Sequence, residues 1–445
     1  MTRVRAEIAR KAVHVGTGGF ALLLRWLPWP AAALLALSAV LFNLFVLHRL
    51  TGRILLRDGE RERSVSCGIV LYPVAVLLLI LVFPNRLDLA AAAWGLLAFG
   101  DGMATVAGLA LGRARLPWNR EKSWCGFAAF IVAGAAASTA LQEWVRPTSS
   151  WKTTLGGCLA AAIAAALIES MPTGVDDNIT VPVVGGCVLY AASLVDPVLL
   201  SGATEQTVRN LRWGLPVNVV LAALAYSGRV VGASGAVCGT VMGTVLFAFV
   251  GWSGFAVFVA FFVVGTVATR LGWEQKVARG VEQEAGGRRG AKHALANMLA
   301  GITFGFLSLA NPDVAGFVLA FVAAFATAAA DTVSSEIGQA YGRRAYLLTT
   351  LRAVLPGTDG AVSLEGTAAG ILASAVLGSV AWGVGLISGT DVALVVIAAF
   401  IGTTVESYLG AAFRGESGVA NELVNFANTV VGGTSALVLH RMVAS

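Results

Sequence analysis

A nearly unbroken series of apolar stretches, each about as long as a bilayer is thick, fills this chain of 445 residues. Hydrophobic residues make up 57% of the sequence and charged residues only 13%, which excludes an ordinary soluble domain. Within hydrocarbon every backbone polar group must be satisfied inside the protein, so such stretches fold as helices. The sequence therefore predicts an all-α polytopic membrane protein.

The apolar stretches predict about 15 transmembrane helices in two related halves. The predicted spans are 12–28, 30–47, 65–83, 88–111, 124–143, 151–170, 180–197, 210–226, 230–249, 252–270, 291–311, 313–331, 363–387, 390–411 and 424–441. With the N-terminus in the cytoplasm, most of the 31 Lys and Arg residues lie on the cytoplasmic side, as the positive-inside rule requires. This orientation places the most polar loops inside the cell, at the plasma or inner membrane of a bacterium.

One polar phrase occurs twice inside these apolar helices. It reads Asp-x6-Gly-x3-Gly-Arg, and its copies run from Asp101 to Arg113 and from Asp331 to Arg343. An aspartate within hydrocarbon costs a few kcal/mol, so it usually marks a functional cavity. The aspartate and both glycines fall within about 20° on one helix face. Either the cavity reaches deep into the membrane, or the first helix is broken at Gly100 or Gly102.

The repetition continues beyond this phrase. Each copy is followed by a Ser-x-x-Gly element, at Ser123 and at Ser363, and later by an Asn that precedes Val-Val-Gly-Gly, at Asn178 and at Asn425. The repeat therefore predicts two domains, residues 1–227 and residues 228–445. Two related active sites in one polypeptide follow from it.

Several side chains in these loops suit a metal–nucleotide site, because carboxylates bind Mg²⁺ and cationic groups bind phosphate. The first-half candidates are Lys11, His14, Asp101, Arg113, Lys122, Ser123, Glu169, Asp176, Asp177 and Asn178. The second-half candidates are Asp331, Glu336, Arg343, Thr358, Asp359, Gly360, Ser363, Asn425 and Asn428. The turn at 357–360 offers backbone N–H groups that could cradle an anion.

Plainer interpretations stay open for some of these residues. Asp101 could pair with Arg113 or with a helix end, and His14 could be interfacial only. Ser123 and Ser363 could cap the helices that follow them, which does not exclude phosphate contact at the same helix N-terminus. The chain has no P-loop or protein-kinase signature, and nothing indicates nucleic acid as a partner.

The first half resembles the phytol kinase and dolichol kinase family of polytopic membrane enzymes. The resemblance covers most of residues 1–200. It rests on Arg10-Lys11-x-x-His14, Phe99-Gly100-Asp101-Gly102-x-Ala104, Gly112-Arg113, Lys122-Ser123-x-x-Gly126, and Glu169 followed by Asp176-Asp177-Asn178 and Pro182. Members of that family phosphorylate a prenyl alcohol, typically with CTP and a divalent cation.

The second half, about residues 230–440, resembles the phytyl-phosphate kinase family of integral membrane proteins. The matching residues are Lys276, Gly287-Arg288-Arg289, Asn297, Ala330-Asp331-Thr332-x-Ser334-Ser335-Glu336-x-Gly338, Pro356-Gly357-Thr358-Asp359-Gly360-x-Val362-Ser363-x-x-Gly366, Glu406, Asn425 and Asn428. CDP-diacylglycerol synthase is similar in outline, but its hallmark motifs are absent here.

Together the two resemblances imply a bifunctional prenyl kinase. The first half would convert an isoprenoid alcohol to its monophosphate, and the second half would make the diphosphate, each with CTP and Mg²⁺. Asp101, Asp177 and Asn178, and in the second half Asp331 and Asp359, would hold the metal.

The implied roles of the other residues fall into two groups. Lys122, Glu169, Asp176 and Glu336 join the metal-binding aspartates as catalytic residues. The implied nucleotide and phosphate contacts are Lys11, His14, Arg113, Ser123, Gly126, Lys276, Arg288, Arg289, Arg343, Thr358, Gly360, Ser363, Asn425 and Asn428. A homodimer, a lipid or isoprenoid transporter, and a single-activity kinase with one structural half stay open as alternatives.

Overall fold

The structure is a computed structural model, and it describes residues 3–47, 49, 67–148, 150–172, 175–281, 290–358, 360–412 and 421–444. It is predominantly helical, at 82%. Within these described residues nine helices are long and apolar enough to cross a membrane. The predicted polytopic helical class is therefore confirmed, but the predicted number of about 15 spans is not.

The chain divides into two compact units, Met1–Ser193 and Leu194–Ser445, and each is described by itself. The predicted domain boundary after residue 227 stays a prediction. The first unit contains α1 (Arg3–Gly18), α2 (Trp29–Phe42), α3 (Cys67–Val82), α4 (Leu87–Gly95), α5 (Asp101–Leu111), α6 (Trp124–Val145), α7 (Trp151–Ser170) and α8 (Asp177–Ser193), with a 3-10 turn at Gly19–Arg25.

Helix α4 lies at the centre of the first unit. Its residues from Leu89 to Ala93 are almost completely buried, because a run of alanines lets neighbouring helices approach closely. A π-helical turn, Leu96–Gly100, joins α4 to α5, so one helix runs from Leu87 to Leu111. The helix is therefore not broken at Gly100 or Gly102. This wider turn lies directly before Asp101, and π-helical turns within α-helices are frequent at functional sites.

The second unit is built from nine helices and a small sheet in the part of the chain that is described. The helices are α9 (Pro197–Gly202), α10 (Thr204–Ser227), α11 (Ala233–Arg270), α12 (Trp273–Arg279), α13 (Ala291–Ala310), α14 (Val314–Tyr341), α15 (Leu364–Gly383), α16 (Asp391–Ala412) and α17 (Asn421–Ala444). The strands are β1 (Ala345–Leu347), β2 (Ala353–Val354) and β3 (Ala361–Ser363), antiparallel in the order β2-β1-β3.

Helix α14 is the central helix of the second unit, because 83% of its most apolar 18-residue stretch is buried. It carries Asp331 near its C-terminal end. Helix α11 is bent at Gly251, where φ is 60° and ψ is −157°. Each arm is about 27 Å long at 1.5 Å per residue, close to the thickness of the hydrocarbon core. The arms match the predicted spans 230–249 and 252–270, so the two predicted spans correspond to two helical arms that meet at the non-helical residue Gly251.

Candidate functional site

The polar phrase adopts the same local structure in both units. The N–H of Gly126 donates to Ser123 Oγ at 3.2 Å, and the N–H of Gly366 donates to Ser363 Oγ at 3.1 Å. Ser123 and Ser363 therefore cap α6 and α15, as the sequence predicts. Both hydroxyls are thereby directed at helix N-termini, where an anion is favoured.

The second glycine of each phrase makes this geometry possible. A Cβ on Gly112 would lie 2.1 Å from the carbonyl oxygen of Gly108 and 2.7 Å from Ser123 Oγ. The matching distances at Gly342, to Gly338 O and Ser363 Oγ, are 2.4 Å and 3.2 Å. The shorter distance in each copy is to a carbonyl oxygen of the same helix, so glycine is required where the acidic helix ends beside the capping serine.

A strand pairing follows each phrase at the same offset. Arg115 forms an antiparallel bridge with Ser123, and Ala345 pairs with Ser363 between β1 and β3. Backbone groups in the loop are satisfied by this pairing, which holds the loop across the end of the acidic helix. The repeat in the sequence is thus a repeat of structure.

Three carboxylates meet in the first unit. One oxygen each from Asp101, Glu169 and Asp177 lies within 4.8 Å of the others. Asp101 and Glu169 are both 5% exposed. Carboxylate oxygens at this spacing are the donor set that Mg²⁺ or another hard divalent cation prefers, so these residues fit the metal that the sequence implies.

Two basic side chains from α1 contact Asp101. Lys11 Nζ lies 2.5 Å from Asp101 Oδ2, and His14 Nε2 lies 3.3 Å from the same oxygen. Arg113 is exposed at the helix end. The alternative pairing of Asp101 with Arg113 is therefore wrong, as is a purely interfacial role for His14.

Tyr72 packs against the His14 ring and is itself held by Trp94, and the sequence analysis predicted neither residue. The Tyr72 ring lies edge-on to the His14 ring at a centroid distance of 4.5 Å. Trp94 Nε1 donates to the Tyr72 hydroxyl at 2.7 Å. Both residues lie in apolar runs without motif or periodicity, so no signal in a single sequence could have marked them.

Lys122 lies between the other two carboxylates. It forms an ion pair with Glu169, and its Nζ lies 3.3 Å from Asp177 Oδ2. Burial alone lowers the pKa of Lys122, but the charges of Glu169 and Asp177 outweigh it and hold this pKa above its usual range. Burial raises the pKa of the Asp177 carboxyl, and Lys122 offsets only part of that rise. Lys122 is therefore a fixed cation beside an acid that is costly to ionise.

Asp176 and Asn178 stand beside this cluster. The N–H and Nδ2 of Asn178 donate to Asp176 Oδ1 at 2.9 Å and 2.8 Å, which organises the start of α8. Asn178 Oδ1 is buried and has no hydrogen-bond partner among the described residues. This unpaired oxygen lies next to Asp177 and is an acceptor for a hydrogen bond from a water molecule or other ligand bound to the metal.

The second unit holds a cavity of about 1240 Å³ around the second copy of the phrase. Its walls include the predicted residues Asp331, Thr358, Gly360, Ser363 and Asn425. Lys292, His293 and Glu406 also line it. Lys292 and His293 were not among the predicted site residues. The sequence signal that could have identified them is their position at the end of a charged segment.

Lys276 and Glu336 form a buried pair in this unit. Lys276 Nζ lies 2.6 Å from Glu336 Oε2 and donates to the carbonyl oxygen of Thr269, also at 2.6 Å. Both residues are only 1% exposed. In this arrangement the pair fastens α12 to α14, and the catalytic and phosphate-binding roles implied for the two residues stay predictions.

The remaining second-half candidates are dispersed. Asn428 is completely buried, and its side-chain nitrogen and oxygen have no hydrogen-bond partner among the described residues. Arg343 is exposed at the end of the phrase. Arg288, Arg289 and Asp359 lie outside the described residues.

Comparison with known proteins gives the chain a family. Residues 216–433 match the family model described as integral membrane protein DUF92. Protein VTE6 of Arabidopsis thaliana is 40% identical over 218 residues, which are 47% of this chain and 66% of that protein. An uncharacterized membrane protein of Synechocystis sp. is 38% identical over 200 residues, covering 44% of this chain and 78% of its own length.

A probable phytol kinase of Triticum aestivum is 30% identical over 200 residues, or 40% of this chain and 65% of that protein. The matched part of the chain thus spans about two thirds of VTE6 and of this phytol kinase. No solved structure matches. On the family model and the Synechocystis relative, the chain belongs to the DUF92 family of integral membrane proteins.

Proposed function

We propose that this protein is a membrane prenyl kinase with two active sites, which phosphorylates an isoprenoid alcohol in the first unit and its monophosphate in the second. The observation that carries the proposal is the cluster of Asp101, Glu169 and Asp177, in which Lys122 forms ion pairs with Glu169 and Asp177. The cluster lies beside a loop frame, by which we mean the closely packed glycines, the capping serine and the strand pairing after each polar phrase, and this loop frame recurs around Asp331. The relative named a probable phytol kinase supports the same substrate class.

In the first unit the three carboxylates would hold Mg²⁺, which when bound neutralises charge on the nucleotide phosphates. Lys122 and Lys11 already stand at the carboxylates and supply positive charge for phosphate oxygens. Phosphoryl transfer needs mainly this positioning and electrostatic stabilisation. The nucleotide that we propose as donor is CTP.

The reaction requires a base for the alcohol. The alcohol oxygen bonds to the γ-phosphorus, the bond from that phosphorus to the leaving nucleoside diphosphate breaks, and the alcohol proton passes to a carboxylate. Glu169 is buried in the cluster, and Asp176 stands at its edge, so these are the candidates for that acceptor. A phosphomonoester is already ionised, so the second unit needs less help of this kind.

In the second unit the cavity around Asp331 has room for a phosphorylated lipid head group together with nucleotide phosphates. Ser363 and the N-terminus of α15 face this cavity and would contact anionic oxygens. The intermediate would stay in the membrane between the two steps, at a high effective concentration.

The test is a product analysis on the full-length protein in nanodiscs. It is incubated with γ-labelled CTP or ATP, Mg²⁺ and a panel of prenyl alcohols and monophosphates, and mono- and diphosphate products are resolved. Asp101→Asn should abolish the first phosphorylation only, and Asp331→Asn the second only. Lipid movement without nucleotide consumption, or loss of both steps in both variants, would contradict the proposal.

A further inference from the structure

The cavity around Asp331 extends from the loop frame into the membrane-spanning part of the second unit. Residues on one face of α15 form one of its walls, and they include Thr367, Gly370, Ile371 and Ser374. Residues on one face of α16 form a second wall, and they include Phe400, Thr403, Thr404 and Ser407. Ser374 is about 16 Å along α15 from the capping Ser363, which is about half the thickness of the hydrocarbon core.

Helices α15 and α16 are in contact beyond the deep end of these walls and again beside the loop frame. A Cβ on Gly378 of α15 would lie 3.0 Å from Val392 Cγ1 of α16. At the other end, a Cβ on Gly360, just before α15, would lie 2.2 Å from the backbone nitrogen of Ala411 at the end of α16. The two helices therefore run antiparallel, and the walls that they give to the cavity lie between these two contacts.

Ile371 and Phe400 lie at the same depth between these contacts. Ile371 is seven residues from Gly378, and Phe400 is eight residues from Val392. Both are therefore about 11 Å from the same helix contact. Both side chains line the cavity, and both are exposed.

Each of these two residues also borders the lipid-facing side of its helix. Leu372 lies about 100° further round α15 than Ile371, and Ile397 lies about 60° from Phe400 round α16. Leu372 and Ile397 are exposed, and in the described part of the chain neither lines the cavity. Ile371 and Phe400 therefore mark an opening through which the cavity meets the bilayer.

The hydroxyl groups in this deeper part of the cavity are already satisfied. Each donates to a carbonyl oxygen three or four residues earlier in its own helix, at 2.7–3.1 Å, and they are those of Thr367, Ser374, Thr403 and Thr404. A hydroxyl that bonds back to its own helix demands no polar partner from a ligand. The walls therefore accept a hydrocarbon chain, although several of their residues are polar by type.

The opposite end of the cavity suits an anionic head group. Lys292, at the start of α13, lines it, and so does Ser363 at the N-terminus of α15, where an anion is favoured. The cavity thus joins a polar end beside the loop frame to an apolar opening at membrane depth. That combination fits an amphiphile whose phosphate lies near Ser363 and whose chain extends toward Ile371.

We propose that the prenyl chain of the monophosphate leaves the cavity sideways into the bilayer between Ile371 and Phe400, and that these two side chains limit the width of the chains that the second unit accepts. The inference rests on the proposed function, which supplies the prenyl monophosphate as occupant. Chain beyond the opening lies in lipid whether or not the head group is bound, so added length contributes little to binding. The site is therefore selective for chain width at the opening and indifferent to chain length beyond it.

The experiment is photo-crosslinking of the full-length protein in nanodiscs. The probe is a prenyl monophosphate whose diazirine lies about 12 Å along the chain from the phosphate, the distance along α15 from Ser363 to Ile371. We expect it to label peptides that contain Ile371 and Phe400. Ile371→Trp and Phe400→Trp fill the opening, so each should weaken saturable labelling about tenfold, as overpacking does.

A short probe tests whether these variants still fold and bind the head group. Its diazirine ends a single isoprene unit, which stops short of the opening, so Ile371→Trp and Phe400→Trp should be labelled as the wild type is. The matched controls are Leu372→Trp and Ile397→Trp, which add a similar bulk outside the cavity. Ile397 is 47% exposed, as Phe400 is, so the two tryptophans on α16 differ in position rather than in burial. Both controls should be labelled normally by the long probe.

Two results would overturn the opening. One is undiminished labelling of Ile371→Trp and Phe400→Trp by the long probe, and the other is an equal loss in Leu372→Trp and Ile397→Trp. Displacement of the long probe by phosphatidic acid as readily as by unlabelled prenyl monophosphate would assign the groove to ordinary membrane lipid, which also contradicts the proposal.

The opening and the kinase proposal fail in different ways. If the labelling pattern is as expected but no diphosphate forms with any nucleotide, the cavity binds a prenyl phosphate and the kinase proposal is wrong. If diphosphate forms equally fast in Ile371→Trp, Phe400→Trp and the wild type, and labelling is also unchanged, the kinase proposal stands and the opening is wrong.

Discussion

At the scale of single residues, the two repeated aspartates differ in what neutralises them. Lys11 and His14 both contact Asp101 Oδ2, whereas among the described residues no Lys, Arg or His forms an ion pair with Asp331. A buried carboxylate needs a compensating charge or must bind one. The first unit therefore supplies cations to its own buried aspartate, whereas the buried carboxyl of Asp331 is neutralised either by a proton or by a bound ligand.

Lys122 is the residue whose removal should be most damaging in the first unit. Lys122→Met leaves the carboxylates of Glu169 and Asp177 without their shared cation and removes a contact for phosphate. We expect the first phosphorylation to fall by about 100-fold or more. The measurement is the initial rate with a prenyl alcohol under saturating nucleotide.

The control for this substitution is Lys152→Met, at an exposed lysine near the start of α7. It removes the same charge from the same unit and should change the rate little. A normal rate in Lys122→Met would show that the lysine only balances charge in the resting protein.

The raised pKa of Asp177 determines how we expect the first site to respond to acid. Its pKa is raised, so protons compete with a metal ion there at a higher pH than at an exposed aspartate. In the folded protein without metal, ionised Asp177 destabilises the unit at neutral pH, and this cost disappears as the pH falls through its raised pKa. Mg²⁺ should therefore raise the unfolding temperature more near neutral pH than in mild acid.

Thermal unfolding with and without Mg²⁺ across this range measures the effect, and Asp177→Asn should flatten its pH dependence. A Mg²⁺ stabilisation that is equal at both ends of the range would rule out Asp177 as a ligand.

A contact in the site could be predicted from the sequence only when its two residues lie close together along the chain. The capping by Ser123 and Ser363 was predictable because the donor is three residues away on the same helix. The contact of Lys11 with Asp101 joins residues 90 positions apart, and nothing in the sequence around either residue specifies the other. Periodicity indicated that Asp101 faces the protein, but not which side chain meets it.

At the scale of elements, the loop frame depends on glycines, which leave room for two helices to pack closely. A Cβ on Gly366 of α15 would lie 2.5 Å from the carbonyl oxygen of Ser334 on α14. A backbone carbonyl within a packed helix cannot move aside cheaply. Glycines of this kind set how closely the acidic helix and the capped helix approach.

Gly366→Ala should consequently destabilise the second unit by about 1–3 kcal/mol, as overpacking does. Gly383→Ala is the matched control, because Gly383 ends the same helix and has no atom within 4 Å of the added Cβ. Thermal unfolding in one detergent compares the two variants. If they unfold at the same temperature, the close approach at Gly366 contributes nothing to stability.

The sequence predicted where most helices lie and where the helix around Gly251 is interrupted, but not the contacts beside that interruption. Apolar runs gave α6, α7, α13 and α15 close to their observed bounds. The interruption at Gly251 falls between the predicted spans 230–249 and 252–270. The spans did not predict the tertiary contact beside it, in which Asn210 Nδ2 donates to the Ala248 carbonyl oxygen at 3.2 Å. Such tertiary hydrogen bonds leave no periodic signal, and the same is true of the π-turn before Asp101.

At the scale of the whole molecule, the proposal requires both loop frames to face the cytoplasm. This orientation comes from the distribution of Lys and Arg alone. Its test is labelling of single cysteines in a variant without the five native ones. Arg113→Cys and Arg343→Cys should both be protected from an impermeant maleimide added to intact cells.

The same maleimide should label Ser388→Cys, because Ser388 is exposed between two helices at a position predicted to lie outside. Labelling of Arg113→Cys but not Arg343→Cys would mean that the two sites open to opposite sides. One cytoplasmic nucleotide pool could not then serve both.

The duplicated glycine–serine frame also bears on how such a protein could diversify. Its stability comes from missing side chains and a capping hydroxyl, and its charged residues take no part in that packing. Lys122 directly precedes the capping serine in one copy, and Val362 holds the same position in the other. A repeat built this way allows the charged side chains beside either copy to differ while the packing of its backbone stays the same.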